Sequence, residues 1–236
     1  MTVQFDAIHL DKSKGIEDKT PFSRLMCKAM PLERSGSLLD IGCGSGIIGL
    51  YALLNGSRFV YFNDIQKDAI RLTQQNLKRN YIAESSYRLL NIPFQQINIS
   101  EYQLDAIFFN PPQLPTDMVS IDQYRDRQER IFRDGGADGR NLIDQFVKWL
   151  AGCLPLQKTR AYLGISSVLL IDDILENAEQ QGLTAIKKCV GTVQLRELFY
   201  PIVKEMPEGE RKRREIKKMN DKWNKKIYII EFRKNA

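Results

Sequence analysis

Histidine is almost missing from this chain: His9 is the only one in 236 residues. A catalytic triad built on an imidazole base is therefore not expected. Cysteine is sparse as well, and Cys27, Cys43, Cys153 and Cys189 show no paired spacing. That excludes the usual zinc and disulfide frameworks and suits a reduced, cytoplasmic setting. No apolar run approaches the length needed to cross a bilayer, so no membrane partner is expected. The opening residues, Met1 to Asp6, lack the basic stretch and apolar core of a secretory signal. Internal repeats and low-complexity linkers are absent too.

Charge of one sign is scarce except in one place. The formal net charge is +6. Nine Lys or Arg stand against four Asp or Glu between Glu208 and Lys226, which leaves the rest of the chain nearly neutral. The basicity is thus local. It suits an acidic, ribosomal or nucleic-acid partner, or a solvated helix with i,i+4 pairs such as Glu210–Arg214.

What the chain does have is a glycine-rich turn in a telling context. Leu38-Leu39-Asp40-Ile41 is a short apolar run ending near a carboxylate, and Gly42, Gly44 and Gly46 follow before a helical pattern begins at about Ser45. This reads as strand, tight turn and helix, with glycine supplying backbone angles closed to other residues. The start of the helix adds unpaired N–H groups and a positive dipole end. Gly44 to Gly49 also has the spacing of a dinucleotide fingerprint. A negative Asp40 at the mouth would oppose a pyrophosphate, however, and suits a cationic or amine-bearing ligand. A nicotinamide enzyme is accordingly a remote reading.

Around this turn, strands and helices alternate. Thr20-Pro21 opens a helix with Phe22, Leu25, Met26, Ala29 and Met30 on one face. Phe59 to Asp64 reads as a second strand, and its terminal acid lies roughly 20 residues beyond the glycines, the offset at which a carboxylate takes ribose hydroxyls. Asp64 could equally cap the following helix, over about 67–80. The third strand has two candidates. Phe94 to Ile99 alternates well and places Asn98 near its end, whereas Tyr87 to Asn91 places Asn91 there. Leu104 to Phe109 is a buried strand, and 159–166, 183–193 and a last strand within 226–233 complete the set. The alternation predicts a Rossmann-like, doubly wound, mostly parallel α/β sheet.

The fourth strand runs into Asn110-Pro111-Pro112-Gln113. Ligands of open α/β sheets bind beyond such strand ends. Consecutive prolines fix φ and lack N–H groups, so neighbouring carbonyls keep one direction. The Asn110 side-chain oxygen and the Pro111 carbonyl could then accept both hydrogens of a planar –NH2 group. Those bonds would favour the charge that develops as its nitrogen attacks a methyl carbon. An ordinary strand-terminating turn is the plain alternative.

Asp40 to Gly46, Asp64 and Asn110-Pro111-Pro112, taken in order, resemble class I S-adenosylmethionine (SAM)-dependent methyltransferases. With Gly135-Gly136-Ala137-Asp138-Gly139-Arg140 and the short lead-in, the chain is similar to the HemK-type protein-glutamine N5-methyltransferases of short form, over about residues 20–155. The resemblance implies a seven-stranded sheet and a single methyltransferase domain over 1–236, with a lead-in and helix at 1–36 and a basic insertion at 204–226. It implies SAM as cofactor, with Asp40, Gly42, Gly44 and Gly46 on the methionine side and Asp64 on the ribose. Asn98 would face the adenine amine. Asn110 and Pro111 would orient the acceptor, and Gln113 would line its slot. Such enzymes usually carry an aromatic residue where this chain has Gln113, and losing that stacking weakens the case for a flipped base more than for a small amide. A protein glutamine is the expected acceptor, a nucleic-acid base amine the alternative, and a non-catalytic SAM-binding module the reading from another class. The oligomeric state is not legible.

Overall fold

The computed structural model describes residues 3–13, 16, 19–31, 36–116, 133–153 and 159–235. Its centre is β1 (Ser37–Ile41), all five residues of which are buried. Parallel neighbours flank it: β2 (Phe59–Asn63) on one side and β4 (Ala106–Phe109) on the other. Outside them, β3 (Tyr87–Leu90) pairs with β2 and β5 (Arg160–Ser166) with β4, again parallel. The last strand, β8 (Lys222–Lys234), inserts antiparallel between β5 and β6 (Leu183–Gln194). The order is β3-β2-β1-β4-β5-β8-β6. The chain winds outward from β1 to β3, then returns to start again at β4. The point where strand order reverses lies between β1 and β4, where an open α/β sheet leaves a crevice.

Period-two alternation of side chains sends each strand to two cores. Leu38, Ala106, Phe108 and Tyr162 face a layer containing α1 (Pro21–Ala29), α2 (Ile47–Leu54) and Leu77 of α3 (Lys67–Arg79). Leu39, Ile41, Ile107, Phe109 and Leu163 face the opposite layer, built on α4 (Asn141–Cys153) and α5 (Ile171–Gln180). Helix α1 starts as its sequence suggests, with the Thr20 hydroxyl accepting from the Ser23 N–H at 3.0 Å and Pro21 in the first turn.

Two expectations need correction. The third strand is Tyr87–Leu90, not Phe94–Ile99. The latter stretch folds into 3-10 turns at Phe94–Gln96 and Ile99–Glu101, and its apolar residues Phe94, Ile97 and Ile99 anchor a loop to the core. An alternating pattern is satisfied by such anchoring as well as by a strand. The sheet also has eight strands, not seven. The extra one, β7 (Lys217–Met219), arises inside the basic segment and pairs with the start of β8 through an Asn220-Asp221 turn. Both turn residues take positive φ, 47° and 60°, as a tight hairpin requires.

Beyond β6 the chain builds a small cap over the carboxyl ends of the strands. It comprises α6 (Tyr200–Glu205), α7 (Glu208–Arg213) and the β7 hairpin, around Leu195, Phe199, Val203 and Ile216. Among the described residues, no helix is long and apolar enough to cross a membrane.

Candidate active site

Register assembles the site. Ile41 pairs with Asn63 on one side and with Phe109 on the other. The glycine turn, Asp64 and Asn110 therefore leave three adjacent strands at the same level. Gly42, Gly44 and Gly46 all adopt left-handed φ, 59°, 56° and 79°. At Gly46 space is short as well, since a Cβ would lie 2.9 Å from the Thr73 methyl. Helix α3 holds the turn from behind: the Thr73 hydroxyl donates to the Gly44 carbonyl at 3.0 Å, and the Asn76 amide donates to the Ser45 carbonyl at 2.8 Å.

Asp64 has a double attachment. One carboxylate oxygen accepts from the Gly44 N–H at 3.1 Å and the other from the Gln66 N–H at 2.9 Å. A carboxylate offers about four acceptor positions, so with the Gln66, Gly44 and Ile65 N–H groups around it part of its capacity remains for a ligand. Burial raises its pKa above the usual range, and the N–H groups of Gln66 and Gly44 pull the other way. Asp64 is not the cap of α3, whose N-cap is Gln66; its bond to the Gln66 N–H braces the turn that leads into the helix.

Asp40 takes a different place from the one its sequence position suggests. It stands behind the turn, 1% exposed, outside the residues that line the cleft. One oxygen accepts from the Gly49 N–H at 3.0 Å, and the other has no hydrogen-bond partner. Burial pushes its pKa up to about 7, opposed by the Gly49 N–H and reinforced by the charge of Asp64. Its role in the structure is to tie the turn to the first turn of α2.

The cleft between these elements has a volume of about 740 Å³. Ile65, Ile92, Pro93 and Phe94 give it an apolar wall beside Asp64, and Asn110, Pro111, Pro112 and Gln113 form the opposite end. Asn98 is not there. It is exposed, caps a 3-10 turn and bonds Ser100 and Glu101, because the stretch carrying it is not a strand. Asn91 instead donates to the carbonyls of Asp64 and Ile65, bracing the loop after β2. Several lining residues escaped sequence reasoning: Asn63, Leu195 and Phe199. Asn63 is buried and donates to the carbonyls of Leu90 and Ile92, which holds the β3 exit against the cleft. Nothing in the spacing marks it, whereas Leu195 and Phe199 follow from the polarity of β6, whose exit faces the site.

Each of the four acids of the basic segment is paired with one of its nine cations, so the excess positive charge remains. Lys212 pairs with Glu208 at 2.8 Å, Arg214 with Glu210 at 2.9 Å, Lys218 with Asp221 at 2.9 Å and Lys226 with Glu215 at 3.0 Å. Arg211 turns inward, donates to the carbonyls of Val203 and Met206, and lies over the Trp223 ring. Of the arginines following the Asn-Pro-Pro loop, Arg133 lines the cleft, while Arg125, Arg127 and Arg130 lie outside the described residues.

Comparison with known proteins agrees with this geometry. Residues 14–123 match the family model of the methyltransferase small domain. A Methanocaldococcus jannaschii protein named for protein N5-glutamine methylation is 29% identical over 150 residues, which is 62% of this chain and 71% of that protein. The ribosomal RNA small subunit methyltransferase C of Acinetobacter baumannii is 39% identical over 80 residues, 34% of this chain but only 23% of its own length. Among solved structures, the E. cuniculi Mtq2–Trm112 complex, which methylates a translation termination factor, superposes with a TM-score of 0.53 at 17% identity, covering 94% of this chain and 99% of that one. The family match spans just under half of the chain, and together with the sheet topology it makes the chain similar to the small methyltransferase domain carried on an open, mostly parallel α/β sheet.

Proposed function

We propose that the protein transfers a methyl group from SAM to a planar amide nitrogen, and that a protein glutamine side chain is the acceptor. The observation that carries this reading is the common level of the glycine turn, Asp64 and Asn110 on three neighbouring strands. The cleft residues fit SAM. Gly42 and Gly44 line the cleft with left-handed φ that a side chain would strain, while Gly46 packs against Thr73 behind the turn, and Ser45 presents a hydroxyl with no hydrogen-bond partner. Asp64 keeps acceptor capacity for ribose hydroxyls, and Ile65, Ile92 and Phe94 offer an apolar flank to a purine.

SAM supplies an electrophilic methyl group on a sulfonium. The chain's own contribution is to position the acceptor and to favour the charge arising on its nitrogen. An amide nitrogen is a poor nucleophile because its lone pair is delocalised. The Asn110 side-chain oxygen and the Pro111 carbonyl suit its two N–H hydrogens, and hydrogen bonds to both would strengthen as the nitrogen turns cationic. Holding nitrogen and methyl in line supplies the rest. No strongly basic side chain is required.

The Methanocaldococcus relative supports a glutamine acceptor. A base amine of ribosomal RNA is the second reading, favoured by the Acinetobacter relative. The residue after the prolines argues against it, since Gln113 offers no ring to stack on a base, a contact worth about 1–3 kcal/mol. The test is to incubate the protein and methyl-labelled SAM with a translation termination factor and, separately, with ribosomal RNA. The reading predicts label on a glutamine of the protein, identified by mass spectrometry. It also predicts that Asn110→Ala lowers transfer by about 10²- to 10³-fold, the cost of one such polar contact, with SAM affinity kept. Label confined to RNA would contradict it.

A further inference from the structure

Gln113 occupies the position where a stacking ring is expected, yet its amide is not turned to the cleft as a free group. The Gln113 side-chain oxygen Oε1 accepts from the Ser166 N–H at 2.7 Å. Its NH2 group donates to the Gly164 carbonyl at 3.2 Å and makes a longer contact with the Pro111 carbonyl at 3.4 Å. One side chain thus bridges the loop after β4 to the carboxyl end of β5. Gly164, on which it lands, also abuts Asn110, since a Cβ there would lie 3.2 Å from Asn110 Oδ1.

The backbone of Gln113 is gripped from the other side by the Gly135–Arg140 stretch, which the function has otherwise left unexplained. A Cβ on Gly135 would lie 2.8 Å from the Cα of Gln113, and one on Gly139 would lie 2.7 Å from its carbonyl oxygen. Gly139 also has φ of +82°. On either side of these contacts the loops are hydrogen-bonded: Gly135 N–H to the Leu114 carbonyl at 2.8 Å, Leu114 N–H to the Arg133 carbonyl at 2.9 Å and Thr116 N–H to the Gly136 carbonyl at 2.9 Å. Two glycines let one backbone approach another closely, and the approached residue is the one whose side chain reaches β5.

We infer that Gln113 is a positioning residue: it clamps the Asn110-Pro111 loop to β5 at Gly164 and Ser166, fixing the two oxygens that orient the acceptor. This rests on the methyl-transfer reading above for its functional meaning, but the clamp is a property of the fold alone. It also defines the acceptor. With residue 113 engaged on backbone, the wall at that point carries amide dipoles instead of a ring, and the matching substrate is a non-aromatic side-chain amide.

The test uses Gln113→Glu and Gln113→Ala in the full chain. Glu keeps the acceptor for the Ser166 N–H but sets a carboxylate oxygen against the Gly164 carbonyl. Both variants should bind SAM within about twofold of wild type, because the glycine turn and Asp64 are untouched. Their kcat for the amide acceptor should fall by up to about 10²-fold, as loosened positioning does, with the change in KM much smaller. A uniform loss of binding would instead raise KM. Amide hydrogen exchange at Ser166 supplies a readout without any acceptor: in Gln113→Ala it should speed up by about tenfold or more through loss of the clamp. Unchanged kcat in both variants, or unchanged exchange at Ser166, overturns the inference. If wild type binds SAM but methylates no amide, the methyl-transfer reading fails, and the clamp is still judged by the exchange of Ser166.

Discussion

Asp40 and Asp64 show how two carboxylates in one site acquire different tasks from their surroundings. Asp64 sits at the rim with two N–H donors and spare capacity; Asp40 is sealed behind the glycine turn with one donor. A buried, singly bonded carboxyl favours its neutral form. The Asp40 pKa is raised from 3.8 to about 7. Between those values the folded chain holds a proton that the unfolded chain has released, so by linkage stability falls as pH rises through this window. The contribution is whole below the lower value and gone above the upper one. Asp40→Asn cannot titrate, and its urea midpoint should decline less than that of wild type between those two pH values. Equal slopes for both proteins would show that Asp40 is ionised throughout. At this scale the sequence marked the glycines that take left-handed φ and the acid that follows β2, because unusual φ and a strand-end acid leave signals in residue type and spacing. It misjudged Asp40, since burial depends on which core a strand residue faces.

The element that completes the site is the cap after β6. Its position was legible: β6 runs parallel to β1, so the chain leaving it must arrive over the cleft, as Leu195 and Phe199 do. Its character was less so. A charge run reads alike whether it is solvated or paired, and here Glu208, Glu210, Glu215 and Asp221 pair with the cations around them. Exposed pairs of this kind each contribute about 0–1 kcal/mol. Arg211 does more for the cap, closing the end of α6 at the Val203 and Met206 carbonyls and covering Trp223. Arg211→Ala should weaken the cap by about 1–2 kcal/mol through carbonyls left without their donor. Limited proteolysis should then cut faster within 206–216 while SAM affinity holds, and an unchanged cutting rate would assign the cap's order to its apolar cluster alone. The third strand illustrates the opposite failure. Ile97 and Ile99 alternate like a strand, but Phe94 breaks the period of two, and β2 finds its partner in Tyr87–Leu90. Pairing is a long-range choice that local alternation does not encode.

At the scale of the whole molecule, three short stretches far apart in the chain meet because β1 is flanked by β2 and β4 in parallel. The switch in strand order opens the crevice, and the common register puts the glycine turn, the Asp64 carboxylate and the Asn110 amide along it. Nearly all of the net charge of +6 comes from the segment 208–226, where four ion pairs engage every acid and the excess of cations remains. The central claim is that this crevice binds SAM through the glycine turn and Asp64. Isothermal titration with SAM and with S-adenosylhomocysteine, on wild type and on Asp64→Ala, tests it most directly. The account predicts micromolar binding of both ligands to wild type and a loss of at least about tenfold in the variant, the weight of a charged hydrogen-bond acceptor. Absence of binding to wild type, or equal affinity in Asp64→Ala, would contradict it.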